Sequence, residues 1–169
     1  MIQVVKANVH HVQGIADVCS VATRATYKDI YTPEYIERVI KKFYNPARIL
    51  TEVTYSGKDW GGYFAAVENN EVIGACGGGM ISDIAGEVYV LYLDPRRRNE
   101  GIGTKLLEAV SHQQKYEFHA KEQWVSVQEG NTKGIPFYEA RGFVYQHKQA
   151  GYGNGEAEND SSLRYHRYL

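Results

Sequence analysis

Gly101 and Gly103 follow the basic run Arg96-Arg97-Arg98 and precede Leu106, Leu107 and Val110 at helical spacing. A glycine turn that opens a helix suits a phosphorylated ligand. The first-turn N–H groups have no acceptor inside the helix, and the helix dipole favours an anion there. Without Cβ atoms at 101 and 103, a diphosphate can approach the amides of Arg98, Asn99, Glu100, Gly101, Ile102, Gly103 and Thr104. Arg98 is the side chain best suited to add a charged contact, because a planar guanidinium fork matches phosphate oxygens. Arg96 and Arg97 read equally well as solvated loop charge. A bare G-x-G pair also fits an ordinary strand-to-helix connection, so the elements around it must decide.

The stretch Val88-Tyr89-Val90-Leu91-Tyr92-Leu93 is β-branched, aromatic or aliphatic throughout and predicts a buried strand. Asp94-Pro95 stops it, since Pro95 has no N–H for a central ladder. The helix that follows is expected to run from about Gly101 to near Lys121. Upstream, Ile2 to Lys6 predicts a first strand, and Val12, Ile15, Ala16, Val18, Cys19 and Ala22 give the next helix one apolar face. Thr32-Pro33-Glu34 starts another helix with a cap, a proline at its first position and an acid in its first turn. Asn45-Pro46 repeats that signal for a short helix to about Val53.

After a loop over 56–62, Tyr63 to Val67 is expected to pair with Val72 to Ala75 across Glu68-Asn69-Asn70-Glu71, because Asn tolerates the positive φ of a tight hairpin. Gly77-Gly78-Gly79 implies a bulge or a close backbone approach. Downstream, Trp124 to Val127 is a strand, Asn131 caps a helix carrying Phe137 and Tyr138, and Gly142 ends it. Phe143 to His147 and Ser162 to Tyr168 are the last strands, joined by a loop from Gly151 to Asp160. This order predicts an α/β (α+β) fold: a mixed, mostly antiparallel sheet flanked by helices, in a single domain spanning residues 1–169.

Composition narrows the function classes. Nineteen basic against 20 acidic side chains leave a net charge of −1, which argues against broad binding to nucleic acid. Cys19 and Cys76 are far apart and read as buried small hydrophobes of a reducing compartment. The six histidines have no carboxylate or cysteine partner at ligand spacing, so no metal is expected. Val72 to Ser82, the longest stretch without charge, is too short to cross a bilayer, and the N-terminal segment lacks signal-peptide character. A cytoplasmic protein with no membrane partner is the expectation.

Arg98-Asn99-Glu100-Gly101-Ile102-Gly103 resembles the R/Q-x-x-G-x-G/A loop of the GCN5-related N-acetyltransferase (GNAT) superfamily. Leu91-Tyr92-Leu93-Asp94-Pro95 is similar to the family's L-Y-V-x-P run. Asn131 to Phe143 resembles its N-x-x-A-x-x-F-Y-x-x-x-G-F box. Together these motifs and the elements around them cover about residues 60 to 145, and the pair is far more specific than either alone. The resemblance implies an acyltransferase that moves an acetyl group from acetyl-CoA to a primary amine, by direct attack in a ternary complex. It implies that the central strand and its successor splay apart, and that the backbone of Leu91, Tyr92 and Leu93 bonds the pantetheine arm. Asn131 and Tyr138 join the loop residues as cofactor contacts, and an N–H near Leu93 meets the oxyanion.

Two catalytic roles come with that resemblance. Tyr138 matches the position whose phenol protonates the departing thiolate. Glu87 stands where several relatives carry the glutamate that deprotonates the amine through water; its plain alternative is an acid at a solvent-facing strand end. Strand alternation would put Glu87 on the same face as Tyr89, Leu91 and Leu93. Neither motif contains a cysteine, so no acetyl-enzyme is expected. Two residues depart from the family pattern: Gly134 replaces alanine, and Pro136 is expected to shorten or bend its helix. Tyr27, Tyr31, Tyr35 and Tyr44 fall in helices that wall the acceptor site in relatives. The acceptor amine is not legible, a homodimer is left open, and the rival function is a non-catalytic acyl-CoA sensor or interaction domain.

Overall fold

Asn69 and Asn70 adopt left-handed φ values of 52° and 65°, and the tight turn they make sets the first register of the sheet. It joins β2 (Tyr63–Glu68) to β3 (Glu71–Met80), with Val67 opposite Val72 and Glu68 opposite Glu71. The computed structural model describes residues 1–150 and 161–169. The expected loop Gly151 to Asp160 lies outside the described residues. Around the hairpin, β1 (Gln3–Lys6), β4 (Ala85–Leu93), β5 (Glu122–Gln128), β6 (Val144–Ala150) and β7 (Ser161–Tyr168) complete a seven-stranded sheet in the order β1-β2-β3-β4-β5-β7-β6. Only β4 and β5 are parallel; the other neighbours are antiparallel.

Helices cover both faces. α1 (Val12–Tyr27) and α3 (Pro46–Thr54) bury Ile15, Cys19 and Ile49 against Tyr63, Ala65 and Ala75. α4 (Ile102–His112) and α5 (Gly134–Ala140) bury Leu106, Val110 and Tyr138 against Ile73, Val88 and Val125 on the other face. α2 (Pro33–Phe43) leans on α1. The expected caps are present: Thr32 Oγ1 accepts from the Tyr35 N–H at 3.2 Å, and Asn45 Oδ1 accepts from the Arg48 N–H at 2.8 Å. No helix among the described residues is long and apolar enough to cross a membrane.

The run Gly77-Gly78-Gly79 within β3 combines both expected explanations. A Cβ on Gly77 would run into the Trp60 ring, one on Gly78 into the Glu87 carbonyl, and one on Gly79 into the Asp59 carbonyl. The loop before β2 therefore lies directly on the strand, tied by Gly61 N–H to Gly78 O at 2.8 Å and Met80 N–H to Lys58 O at 2.6 Å. Gly79→Ala is expected to destabilise the fold by about 1–3 kcal/mol, the usual penalty for overpacking. Urea unfolding with an unchanged m-value checks it; a midpoint equal to wild type would contradict the close approach.

Opposite Gly77 and Gly78 the register slips, so β4 carries an extra residue at Tyr89. This bulge resets the alternation. Val88, Leu91 and Leu93 pack towards α4, whereas Glu87, Val90 and Tyr92 face the α1 side. The expectation that Glu87 shares a face with Leu91 and Leu93 is therefore corrected. The helix after the glycine loop also ends early. Beyond His112 it widens into a π turn over Gln113–Glu117 rather than continuing to Lys121. There the buried Gln114 donates to Glu87 O at 2.9 Å and accepts from Gln123 Nε2 at 3.0 Å.

Candidate active site

The parallel pair is joined only from Ala85 opposite Glu122 to Val88 opposite Val125. Beyond that point β4 stays bonded to β3 as far as Leu93 opposite Gly74, and β5 stays bonded to β7 as far as Gln128 opposite Ser162. The two central strands therefore part, as the family resemblance implies. The Asp94 N–H donates to Ile73 O on β3 at 2.9 Å. Backbone alternation then turns the Leu93 N–H the other way, into the gap. The inner edge of Leu91 to Leu93 thus presents peptide groups to anything lying between the strands.

The loop after β4 is built to hold its own arginines. Arg96 pairs with Asp94 at 2.9 Å, and Arg97 reaches both Glu68 at 2.7 Å and Glu100 at 2.8 Å. These bonds hold the Asp94 and Glu100 carboxyls below their ordinary range. Arg98 is exposed and has no carboxylate partner among the described residues. Asn99 and Gly101 take positive φ values of 63° and 77°. The amides of residues 98–104 meet no protein acceptor among the described residues; the first bond of α4 is Lys105 N–H to Gly101 O at 3.1 Å. A Cβ on Gly101 would touch nothing within 4 Å, so its glycine answers to backbone conformation and to an open space. Gly103 has a different reason: its Cβ would lie 2.9 Å from the Phe137 ring, so it lets α5 approach α4.

The α5 departures explain themselves. Asn131 Oδ1 accepts from the Gly134 N–H at 2.8 Å, and a Cβ at 134 would press on the Asn131 carboxamide at 2.6 Å. Pro136 falls in the first turn of a seven-residue helix, where no intrahelical bond is lost. Gly142, at φ 90°, closes the helix, and the Phe143 N–H returns to Tyr138 O at 3.1 Å. Arg141, which sequence reasoning did not single out, ties α5 to α4 through Thr104 Oγ1 and lies over the Phe137 ring at 3.9 Å. Thr104 therefore offers a ligand its amide, while its hydroxyl oxygen accepts from Arg141.

Tyr138 is 8% exposed and is held edge-on by Phe137 and Phe143, with ring centroids at 5.1 and 5.4 Å. Burial pushes its phenol pKa up, with Cys76 and Tyr27 as lesser charge neighbours. Tyr138 packs in the cluster on the α4 side of the sheet, and Tyr27 belongs to the opposite face.

On that opposite face is a cleft of about 1020 Å³ whose lining includes Tyr27, Tyr31, Tyr35 and Tyr44 together. Tyr92 joins them, its hydroxyl 3.3 Å from that of Tyr27 and its ring edge-on to Tyr44 at 5.8 Å. Glu52 Oε1 and Ser162 Oγ belong to cleft-lining residues and are buried without a hydrogen-bond partner among the described residues. Burial raises the Glu52 carboxyl above its usual range. Glu87 lines the cleft at 4% exposure, and both its oxygens accept from Arg164, at 2.8 and 3.0 Å. Arg164 was not singled out either; a charged residue amid the last strand was its only signal. No cluster of three or more His, Cys, Asp or Glu side chains able to hold a metal occurs among the described residues.

The sequence profile of the acetyltransferase (GNAT) family matches residues 24–143. A spermidine N(1)-acetyltransferase of Thermoplasma acidophilum is 30% identical over 144 residues, 84% of this chain and 88% of that one. Among solved structures, the PaiA N-acetyltransferase of Thermoplasma acidophilum in complex with coenzyme A superposes with a TM-score of 0.85 at 23% identity, covering 100% of this chain and 99% of that one. Ard1 of Thermoplasma volcanium follows at a TM-score of 0.74 and 17% identity, covering 99% and 97%. Parting central strands, a turn of open amides and a profile match across most of its length agree: the chain belongs to the GNAT acetyltransferase family.

Proposed function

We propose that the protein transfers the acetyl group of acetyl-CoA to a primary amine by direct attack in a ternary complex. The observation that carries this reading is the run of unengaged amides at 98–104 beside the inner edge of β4. The diphosphate would rest on those amides and on Arg98, with Asn99, Glu100, Gly101, Ile102, Gly103 and Thr104 contributing backbone. The pantetheine arm would lie along Leu91, Tyr92 and Leu93 and pass Asn131, bringing the thioester to the divide between the faces.

The amine would enter from the aromatic cleft. An alkylamine with a pKa of about 10 is almost wholly protonated at neutral pH, so a proton must leave before attack. Glu87 would take it through an ordered water. The nitrogen then adds to the thioester carbonyl and the oxyanion meets the Leu93 N–H; the C–S bond breaks as Tyr138 gives its proton to sulfur, and the nitrogen's remaining extra proton passes through water to restore the phenol. A phenol whose pKa is raised by burial stays protonated throughout the neutral range, as that step requires.

The relative's activity makes spermidine the first acceptor to test, and tyrosine rings around the cleft suit an ammonium through their π faces. Release of free CoA thiol, followed with spermidine and a panel of simpler primary amines, tests the proposal. Turnover with at least one amine is expected. Tight acetyl-CoA binding with no thiol release for any amine would favour a sensor instead.

A further inference from the structure

Burying a carboxylate, as Glu87 is buried to 4% exposure, is costly unless it is paired and hydrogen-bonded. Arg164 answers that difficulty from two strands away. In the order β4-β5-β7 its guanidinium spans β5 to reach Glu87, giving Nη1 to Oε2 and Nη2 to Oε1. Nη1 also donates to Ser126 Oγ on β5 at 2.8 Å, and the guanidinium carbon lies 5.2 Å from the centre of the Trp124 ring. The last paired residues of the parting strands are Val88 and Val125. Glu87 stands one residue before that rung on β4, and Ser126 one residue after it on β5. One side chain therefore holds both strands at the place where they separate.

We propose that Arg164 is a positioning residue for acyl transfer: it holds the Glu87 carboxylate in place and fixes the opening between β4 and β5. This rests on the reading of Glu87 as the proton acceptor. Among the described residues, the other charged groups around the cleft, Arg38, Lys41 and Lys42 on α2 and Arg48 and Glu52 on α3, belong to its helical wall. Arg164 pairs with Glu87 at 2.8 Å.

The test compares Glu87→Gln, Arg164→Gln, Arg164→Lys and the double variant Glu87→Gln/Arg164→Gln, measuring kcat at saturating amine and acetyl-CoA affinity by calorimetry. Arg164→Gln is expected to lower kcat about 100-fold, the scale of a lost general base, with acetyl-CoA affinity within about twofold of wild type. Arg164→Lys restores a cation and should recover about tenfold of that loss. The double variant should be no slower than Glu87→Gln alone, because both act through one proton transfer. Should Arg164→Gln fold poorly, the double variant leaves no unpaired buried charge, and its rate and that of Arg164→Lys still decide. Wild-type kcat in Arg164→Gln beside a slow Glu87→Gln would overturn the role of Arg164 and leave the base intact. Wild-type kcat in Glu87→Gln would overturn the base, and this inference with it.

Discussion

Gly101→Glu is expected to abolish acetyl-CoA binding while leaving a folded protein. The site is open: a Cβ there meets nothing within 4 Å, so the new side chain has room inside the unliganded protein. Its cost to the fold is confined to the backbone, since φ is 77° and a residue with a Cβ loses about 1–2 kcal/mol in that region. Its effect on the ligand is much larger. The carboxylate would stand at the amino end of α4, among the same amides a diphosphate needs, and would repel the phosphates it displaces. Gly101→Asn separates the two contributions, because asparagine accepts positive φ and carries no charge. Calorimetry should show affinity lost beyond detection for glutamate and weakened about tenfold for asparagine, roughly 1.4 kcal/mol. Unchanged affinity in Gly101→Glu would remove the loop from the binding site.

Tyr138→Phe should leave affinity alone and cost turnover. The ring keeps its volume and its edge-on contacts with Phe137 and Phe143. Its hydroxyl makes no hydrogen bond to protein among the described residues, so stability should change by less than about 1 kcal/mol. What disappears is the proton proposed for the leaving thiolate. A loss of about 10²- to 10⁴-fold in kcat is expected, with acetyl-CoA affinity within about twofold of wild type. The pH profile carries a sign as well. An acid must be protonated to act, and a phenol pKa raised by burial places its ionisation above that of a free tyrosine. Tyr138 should therefore contribute no alkaline fall in kcat below about pH 10. Equal kcat for the two proteins would remove it as the acid.

What was legible in the sequence was whatever chemistry is local. Thr32, Asn45 and Gly142 act on backbone groups within a few residues, and each does in the fold what its type predicts. The loop at 98–104 is of the same kind, because positive φ and open amides are properties of the turn itself. The face of Glu87 was misread because the bulge at Tyr89 depends on glycines in a neighbouring strand, and alternation within β4 carries no trace of them. Gly103 has a packing reason as well, and Phe137, which supplies it, lies 34 positions on. The Glu87–Arg164 pair joins residues 77 apart, and nothing near either of them marks the other. The end of α4 was overrun because Gln113 and Gln114 suit a helix well, and nothing in their types marks that both lie buried in a widened turn.

That widened turn has a consequence for the reaction. Gln114 holds the main-chain oxygen of Glu87 from the face opposite the cleft, and Gln123 holds Gln114 in turn. The proposed base is thus gripped from both sides of the sheet, its carboxylate by an arginine and its carbonyl by an amide. A residue on the reverse of the sheet therefore helps to aim the proposed proton acceptor, and drift there would be felt in the chemistry.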